Sequence, residues 1–262
     1  MRSQSKCSTP IKDRSGTNYR HRYSRALRQT ATAQEIEIIK CNRSLAFLRT
    51  KQFDAALSDT GFPNLNSKTP EKALFRAAEA LYSLERYTEC CEVLELLRIK
   101  STNNSQALLL LDRARSRCLE QETGAYDFHQ LQTEARTLRP PHLDHATYLG
   151  PVEIKQTESK GRGLFVSKAV KAGDLLLCEK AFSSVYIGEG QTGENDIGSH
   201  ITLLLNVETN RAVVGGQADL IKSIAQKLYR NPSLAPGFTA LHRGTYESVT
   251  APTVDTGTIV DT

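Results

Sequence analysis

The spacing of apolar residues divides the chain into three stretches. From Tyr19 to about Glu122, apolar side chains recur at helical spacing, which predicts a series of amphipathic helices. From Pro151 to about Val185, short β-branched runs are separated by glycine, which is typical of strands joined by turns. Helical spacing returns from Ile201 to Leu228. This order predicts an α+β fold, with helices first and a β-rich part second.

The helical stretch contains an internal repeat whose offset of 34 residues relates residues 42–56 to residues 76–90. Small and large residues match in pairs: Ser44 and Ala78, Ala46 and Ala80, Ala56 and Cys90, Phe47 and Leu81, and Phe53 and Tyr87. Small side chains let antiparallel helices approach closely, and an aromatic residue fills the space beside the turn. Paired helices with this period resemble the tetratricopeptide repeat (TPR). A helical bundle without repeats is the alternative.

Further helices are expected on both sides of the two matched copies. Tyr23–Leu27 resembles the second helix of an earlier repeat. A later helix opens with Asn104 or Ser105 as its N-cap, and Leu108–Leu119 would cover the end of the stack. Pro63 falls where the second helix of the first copy should still run, so that helix is expected to be short.

The TPR resemblance also implies a peptide-binding groove. One subclass of TPR domains clamps the terminal carboxylates of chaperone tails with an Asn on one first helix and Lys and Arg on the next. Asn42, Lys72 and Arg76 have the matching spacings of 30 and 34 residues. Amide, ammonium and guanidinium groups donate strong hydrogen bonds to carboxylates. The resemblance therefore implies a peptide-binding site at these residues; the alternative is that they are solvated surface side chains.

The β-rich part begins with a predicted hairpin. Residues 152–155, Val-Glu-Ile-Lys, alternate like a half-buried strand. Lys160–Gly163 is predicted to be a turn and Leu164–Val166 a second strand. After another turn, Leu175–Cys178 is predicted to be a third, apolar strand.

Two sequence motifs in this region resemble the opening of a SET domain, the fold of protein lysine methyltransferases. They are Lys-Gly-Arg-Gly-Leu-Phe at 160–165 and Val-Lys-Ala-Gly-Asp-Leu-Leu-Leu-Cys-Glu at 170–179. In that family the Gly-rich segment lies against S-adenosylmethionine, because glycine lets the backbone approach the cofactor. The resemblance implies a cofactor site lined by Lys160, Gly161, Arg162, Gly163 and Leu164. The alternative is an ordinary hairpin whose glycines only supply positive φ angles.

The order of the two parts resembles the fungal TPR-and-SET proteins, which are related to the SET-and-MYND methyltransferases. The sequence contains no MYND zinc cluster. The predicted organisation is a disordered basic arm (1–18), TPR-like repeats (19–122), a linker (123–150) and a partial SET domain (151–262), the last comprising a β-rich start (151–185) and a helical insert (195–244).

The resemblance also defines what this sequence lacks. In the family, a C-terminal Asn-His-Ser-type segment completes the cofactor pocket and a late Tyr faces the methyl group. The chain contains no Asn-His pair, so no catalytic residue is assigned. We expect a fragment, or a naturally short protein, that is inactive alone and binds S-adenosylmethionine weakly or not at all.

Two functional hypotheses therefore stay open. The first is a methyltransferase family member lacking its C-terminal catalytic half, with histone or other protein lysine methylation as its chemistry. The second is a TPR adaptor that binds peptide or chaperone tails and whose SET part is structural. Protein partners are expected in both cases.

Charge and cysteine content narrow these hypotheses. The net charge is +5, but residues 1–50 carry 11 basic and 3 acidic side chains whereas the other 212 carry 23 and 26. The basic surplus belongs to the N-terminal segment, so nucleic acid is not expected as a partner. The six cysteines form no CxxC motif, so no metal site is expected. Their scattered positions favour a reducing, intracellular compartment, either the nucleus or the cytoplasm. No apolar run approaches the ~20 residues of a membrane span, and residues 1–16 lack the apolar core of a signal peptide.

Overall fold

A computed structural model describes residues 16–29, 32–186, 202–207 and 210–241. The helices are α1 (Gly16–Leu27), α2 (Ala33–Arg49), α3 (Phe53–Thr60), α4 (Glu71–Ser83), α5 (Tyr87–Lys100), α6 (Ser105–Thr123), α7 (Phe128–Thr137), α8 (Gly216–Arg230) and α9 (Ala235–Thr239). The strands are β1 (Tyr148–Leu149), β2 (Val152–Thr157), β3 (Gly161–Val166), β4 (Leu177–Cys178), β5 (Leu203–Asn206) and β6 (Arg211–Val214). Within the described ranges, no helix is long and apolar enough to cross a membrane.

The two matched copies form helix pairs, α2 with α3 and α4 with α5, whose turns have the same backbone geometry. Lys51 has a φ of 59° and Glu85, 34 residues later, has a φ of 61°. The next amide in each turn donates to a carbonyl five residues back: Gln52 N to Phe47 O at 2.9 Å and Arg86 N to Leu81 O at 2.9 Å. The 34-residue offset found in the sequence therefore holds for the backbone as well as for the side chains.

The small residues matched by the repeat lie in the hydrophobic core. Ser44, Ala46 and Ala56 in the first copy and Ala78, Ala80 and Cys90 in the second are all buried. Leu81 and Tyr87 are buried beside them, and α6 adds Ala107, Leu111 and Ala114 to the same cluster. Close packing of this kind is sensitive to any increase in side-chain volume, which explains why these positions hold small residues.

The ends of the helices agree with several predictions. The helix before Pro63 is short: α3 has 8 residues, and its C-cap is Gly61, whose φ of 87° is left-handed. Asn104 is the N-cap of α6, and its side chain accepts a hydrogen bond from Ala107 N at 3.1 Å. The first helix starts at Gly16, inside the predicted basic arm 1–18, of which residues 1–15 lie outside the described residues.

A buried ion pair holds the first helices together. Arg43 of α2 donates two hydrogen bonds of 2.7 Å to the carboxylate of Asp59 in α3, which is 8% exposed. The same guanidinium donates to Ser24 Oγ of α1 at 3.1 Å. A bidentate pair fixes both distance and orientation, so these contacts set the relative positions of α1, α2 and α3.

The β-rich part consists of two-stranded antiparallel pairs: β1 with β4, β2 with β3, and β5 with β6. The predicted turn at Lys160–Gly163 is wrong by a few residues, because β3 already begins at Gly161. Thr157 closes the turn earlier: its Oγ1 accepts from Lys160 N at 3.1 Å and donates to Gly161 O at 2.8 Å. Gly161 itself has a φ of +73°, which a side chain would strain.

Among the described residues of the predicted helical insert at 195–244, the helices lie in the later part. Residues 203–206 and 211–214 form the antiparallel strands β5 and β6 instead, and α8 starts at Gly216. Asn210 and Gly215, with φ angles of 50° and 65°, bound β6 and interrupt any continuous helix. Residues 195–201, 208–209 and 242–244 of the insert lie outside the described residues, and the predicted linker 123–150 contains α7 and β1.

A polar network joins the helical repeats to the start of the β-rich part. Asp144 accepts hydrogen bonds from Tyr82 Oη at 2.8 Å and from Arg113 at 2.8 Å. Although burial alone would raise the pKa of Asp144, these donors outweigh it and hold that pKa below its usual range. Glu120 accepts from Ala146 N at 2.8 Å and pairs with Arg117. The chain is therefore fixed on α4 and α6 just before it enters β1.

A second long-range contact joins α8 to the first repeat. Asn231 is 2% exposed and follows the last residue of α8. Its Oδ1 accepts from Phe53 N at 2.7 Å, and its Nδ2 donates to Lys51 O at 3.0 Å. Two residues later, Ser233 N and Oγ donate to the Asp54 carboxylate at 2.8 and 2.7 Å. The bond from Phe53 N satisfies a main-chain amide at the start of α3, which has no side-chain cap of its own.

Candidate functional site

The residues predicted to line a cofactor site form one end of the β2–β3 hairpin. Lys160 ends the turn, and Gly161, Arg162, Gly163 and Leu164 follow along β3, with Gly161 opposite Thr157 in the register. The structure therefore brings all five together on one strand and its turn. Lys160, Arg162 and Leu164 are exposed, and a Cβ at Gly161 would meet open space.

The two faces of this hairpin differ. On one face, Ile154 and Leu164 stand directly opposite each other and are 63% and 53% exposed. Arg162 lies on the same face, with its Nη1 3.4 Å from Ala240 O just beyond α9. On the other face, the ring of Phe165 covers Gly163, because a Cβ built at Gly163 would lie 2.8 Å from that ring.

The hairpin has groups that fit one wall of a cofactor site. Among the described residues, β3 pairs only with β2, so amide and carbonyl groups on its other edge have no strand partner. The open space at Gly161 would let a ligand approach the main chain. These residues can therefore donate and accept hydrogen bonds along one side of a bound molecule. Within the described part of the chain, no group of three or more His, Cys, Asp or Glu side chains is arranged to hold a metal ion.

The predicted peptide clamp lies on the first helices of the two repeats, with Asn42 on α2 and Lys72 and Arg76 on α4. Asn42 and Lys72 are exposed. Arg76 donates to Cys41 O, and its Nη1 lies 3.1 Å from Cys41 Sγ. One guanidinium nitrogen is therefore already engaged with the residue before Asn42. The structure places Arg76 across the α2–α4 contact from Cys41, the residue before Asn42, and the clamp itself stays a prediction.

We expect an acidic peptide with a free C-terminal carboxylate to bind the clamp more tightly than its amidated form. Charge-assisted hydrogen bonds to the extra carboxylate should give a difference of about tenfold in dissociation constant. Fluorescence anisotropy with both peptides measures this ratio, and Lys72→Gln should reduce it. Equal affinity of the two forms would exclude a carboxylate clamp.

A further feature that the sequence did not reveal is a cleft between the first repeat, residues 141–145, residues 179–186 and α8. Its first lobe, of about 700 Å³, is lined by several basic side chains: Lys51, Lys180, Lys227 and Arg230. A second lobe of about 510 Å³ shares Lys180, Phe182 and Lys227 with the first. On α8, Ser223, Gln226, Lys227 and Arg230 line the first lobe at helical spacing. This polar stripe was the only sequence signal for the cleft.

Comparison with known proteins gives one informative similarity. No family model matches the chain, and no solved structure matches it. A protein of Gibberella zeae that carries the name "Methyltransferase" is 38% identical over 239 residues, which are 91% of this chain and 32% of that protein. The chain thus spans about a third of the length of the curated relative that it matches.

Proposed function

We propose that this chain is the N-terminal part of a TPR-and-SET-type protein lysine methyltransferase. The observation that carries the proposal is the 38% identity to a protein named "Methyltransferase". Because that similarity covers 91% of this chain, it includes both the helical repeats and the β2–β3 hairpin. The similarity supports a methyltransferase in general, and the finer assignment depends on the motifs of the hairpin and of the repeats.

Two features of the described residues support the finer assignment. The turns of the two helix pairs repeat at the TPR period, with left-handed Lys51 and Glu85 at equivalent positions. The SET-like motif falls on a strand whose second edge is unpaired in the described part of the chain. We therefore assign 19–122 to a TPR domain and 151–262 to the start of a SET domain. The protein whose lysine is methylated, a histone or another protein, would be a partner of the whole enzyme.

In this proposal, the chain contributes binding rather than the chemical step. S-adenosylmethionine, when bound, supplies the methyl group on its sulfonium. The main chain of Gly161, Arg162 and Gly163 would hydrogen-bond the cofactor, and the exposed side chain of Leu164 would contact its apolar portion. The open space at Gly161 lets this strand approach a ligand closely. No described residue is assigned to deprotonate or orient the substrate lysine.

The proposal is tested by tritium transfer from labelled S-adenosylmethionine to core histones, using the protein translated from the complete transcript that contains codons 1–262. We expect transfer, and we expect Gly163→Val to slow it by at least about tenfold. The new side chain would collide with the Phe165 ring and force it away from this face of β3. Gln156→Val adds the same side chain at an exposed position of β2 and should change the rate by less than about twofold.

Two results would contradict the proposal. One is a complete absence of methyl transfer to histones and to a lysate of other proteins. The other is full activity of Gly163→Val in a protein whose circular dichroism is unchanged. For residues 1–262 alone, a calorimetric titration is expected to show weak or no S-adenosylmethionine binding, and micromolar affinity would overturn that expectation.

A further inference from the structure

The cleft beside α8 has two lobes of different chemistry. The basic lobe contains Lys51, Lys180, Lys227 and Arg230, and Glu179 is the one carboxylate among its described lining residues. The second lobe, called the apolar lobe here, adds Leu84, Leu234, Phe238 and Leu241 beside Glu85. It shares Glu179, Lys180, Phe182 and Lys227 with the basic lobe. The volumes of about 700 and 510 Å³ are those of ligand-binding sites.

Positive charge in the basic lobe exceeds the negative charge that faces it. Lys180 pairs with Glu85 at 3.0 Å. Lys227 donates to a neutral acceptor, Phe182 O, at 2.6 Å and lies 4.4 Å from the centre of the Phe182 ring. Burial lowers the pKa of Lys227, Glu85 partly offsets this effect, and Lys180 lowers that pKa further. An anion in this lobe would therefore relieve repulsion between cations that the fold holds together.

The positions of the basic groups are fixed by the fold. Asn231, next to Arg230, donates to Lys51 O at 3.0 Å and so holds the main chain of Lys51 beside the end of α8. Lys227 is held by Phe182, and Lys180 N donates to Thr147 Oγ1 at 3.2 Å. Because the main chain at Lys51 and Lys180 and the ammonium group of Lys227 are held before any ligand binds, less conformational entropy is lost on binding.

The apolar lobe indicates that the ligand carries a large apolar group. Leu241 is 54% exposed at its edge. Phe182 and Phe238 lie 5.0 Å apart with their rings tilted by 45°, so they form a floor for an aliphatic or aromatic group. A simple inorganic anion would leave this surface uncovered.

We propose that the cleft binds an extended acidic peptide, with its carboxylates in the basic lobe and a large apolar side chain in the apolar lobe. The peptide comes from a protein partner and is recognised along its length. This site is separate from the Gly161–Leu164 strand and from the residues of the clamp, and its occupation does not depend on methyl transfer. Charge complementarity favours a peptide of this kind, and the aliphatic Leu84, Leu234 and Leu241 of the apolar lobe match an apolar side chain.

The probe is a fluorescent nine-residue peptide with four Asp or Glu residues around a central Leu-Phe pair, acetylated and amidated so that it has no terminal carboxylate. Anisotropy should show saturable binding to the whole chain. Replacing its acids by Asn and Gln, or its Leu-Phe pair by Ser-Gly, should weaken binding by about tenfold or more. If either analogue bound as tightly as the original peptide, the proposal would be overturned.

Variants of the chain locate the binding. Arg230→Gln and, separately, Lys51→Gln should each weaken binding of the acidic peptide by about tenfold. Lys222→Gln is the matched control, because it removes the same charge from the exposed side of α8, and it should change affinity by less than about twofold. Lys51 is exposed, so its variant should fold normally even if Arg230→Gln does not. Equal losses in all three variants would indicate non-specific attraction and overturn the proposal. The proposal would also be overturned if a single-stranded oligonucleotide displaced the peptide and its own binding were lost in Arg230→Gln.

Discussion

Replacing Asn231 by aspartate is expected to lower the free energy of unfolding by about 3 kcal/mol. The two side chains have the same shape, so the change affects hydrogen bonding and charge rather than volume. The Nδ2 group that now donates to Lys51 O and Lys227 O would become a carboxylate oxygen facing two carbonyl oxygens. At 2% exposure, that charge would have almost no water to solvate it.

Urea denaturation followed by far-ultraviolet circular dichroism measures this loss. Asn64→Asp is the matched control, because Asn64 is exposed and the same substitution there should cost less than about 0.5 kcal/mol. Hydrogen exchange at Phe53 N should also accelerate in Asn231→Asp, because repulsion between the carboxylate and the carbonyls of Lys51 and Lys227 favours opening of the junction that covers this amide. A midpoint that shifts no more than that of the control would show that α8 is not fixed to the first repeat by this side chain.

The contact of Asn231 could not be predicted from the sequence. An Asn before a Pro is typical of a turn, and nothing local indicates that its amide reaches a helix start 178 residues earlier. The repeat was predictable because both copies carry the same small residues at the same offset, so the evidence was contained in the sequence itself. Contacts between distant segments depend on how the elements pack, and a single sequence does not encode that in a readable pattern.

The candidate site was predicted only in part. The Gly-rich motif correctly indicated a hairpin, but the turn was placed too late because the side-chain bonds of Thr157 were not anticipated. Residues 203–214 were predicted to be helical because their leucines fit either a helix or a strand. The left-handed turn at Asn210 favours the strand pairing. The cleft beside α8 was missed because its walls come from five segments that are far apart in the sequence.

Replacing Glu120 by glutamine is expected to destabilise the protein by about 3 kcal/mol. Glu120 is 8% exposed, and its carboxylate accepts from Ala146 N while pairing with Arg117. Glutamine would remove one of the two carboxylates that pair with the largely buried guanidinium of Arg117, leaving only Asp144 at 3.4 Å. Arg117 is poorly placed to tolerate this, because its Nε is already buried without a hydrogen-bond partner in the described part of the chain. The amide nitrogen of glutamine would also face a hydrogen-bond donor, either Arg117 or Ala146 N.

Chemical denaturation of Glu120→Gln should be compared with Glu122→Gln, which removes the same charge at an exposed position of α6 and should cost less than about 0.5 kcal/mol. Limited proteolysis adds information on where the structure loosens. Because Glu120 holds the amide of Ala146, cleavage is expected to increase first within residues 141–150, before the α4–α5 pair is attacked. Parallel loss of protection in α4 and α5 would instead mean that Glu120 supports the repeat core as a whole. Equal stability of the two variants would contradict the assignment of this carboxylate as the link between α6 and the β-rich part.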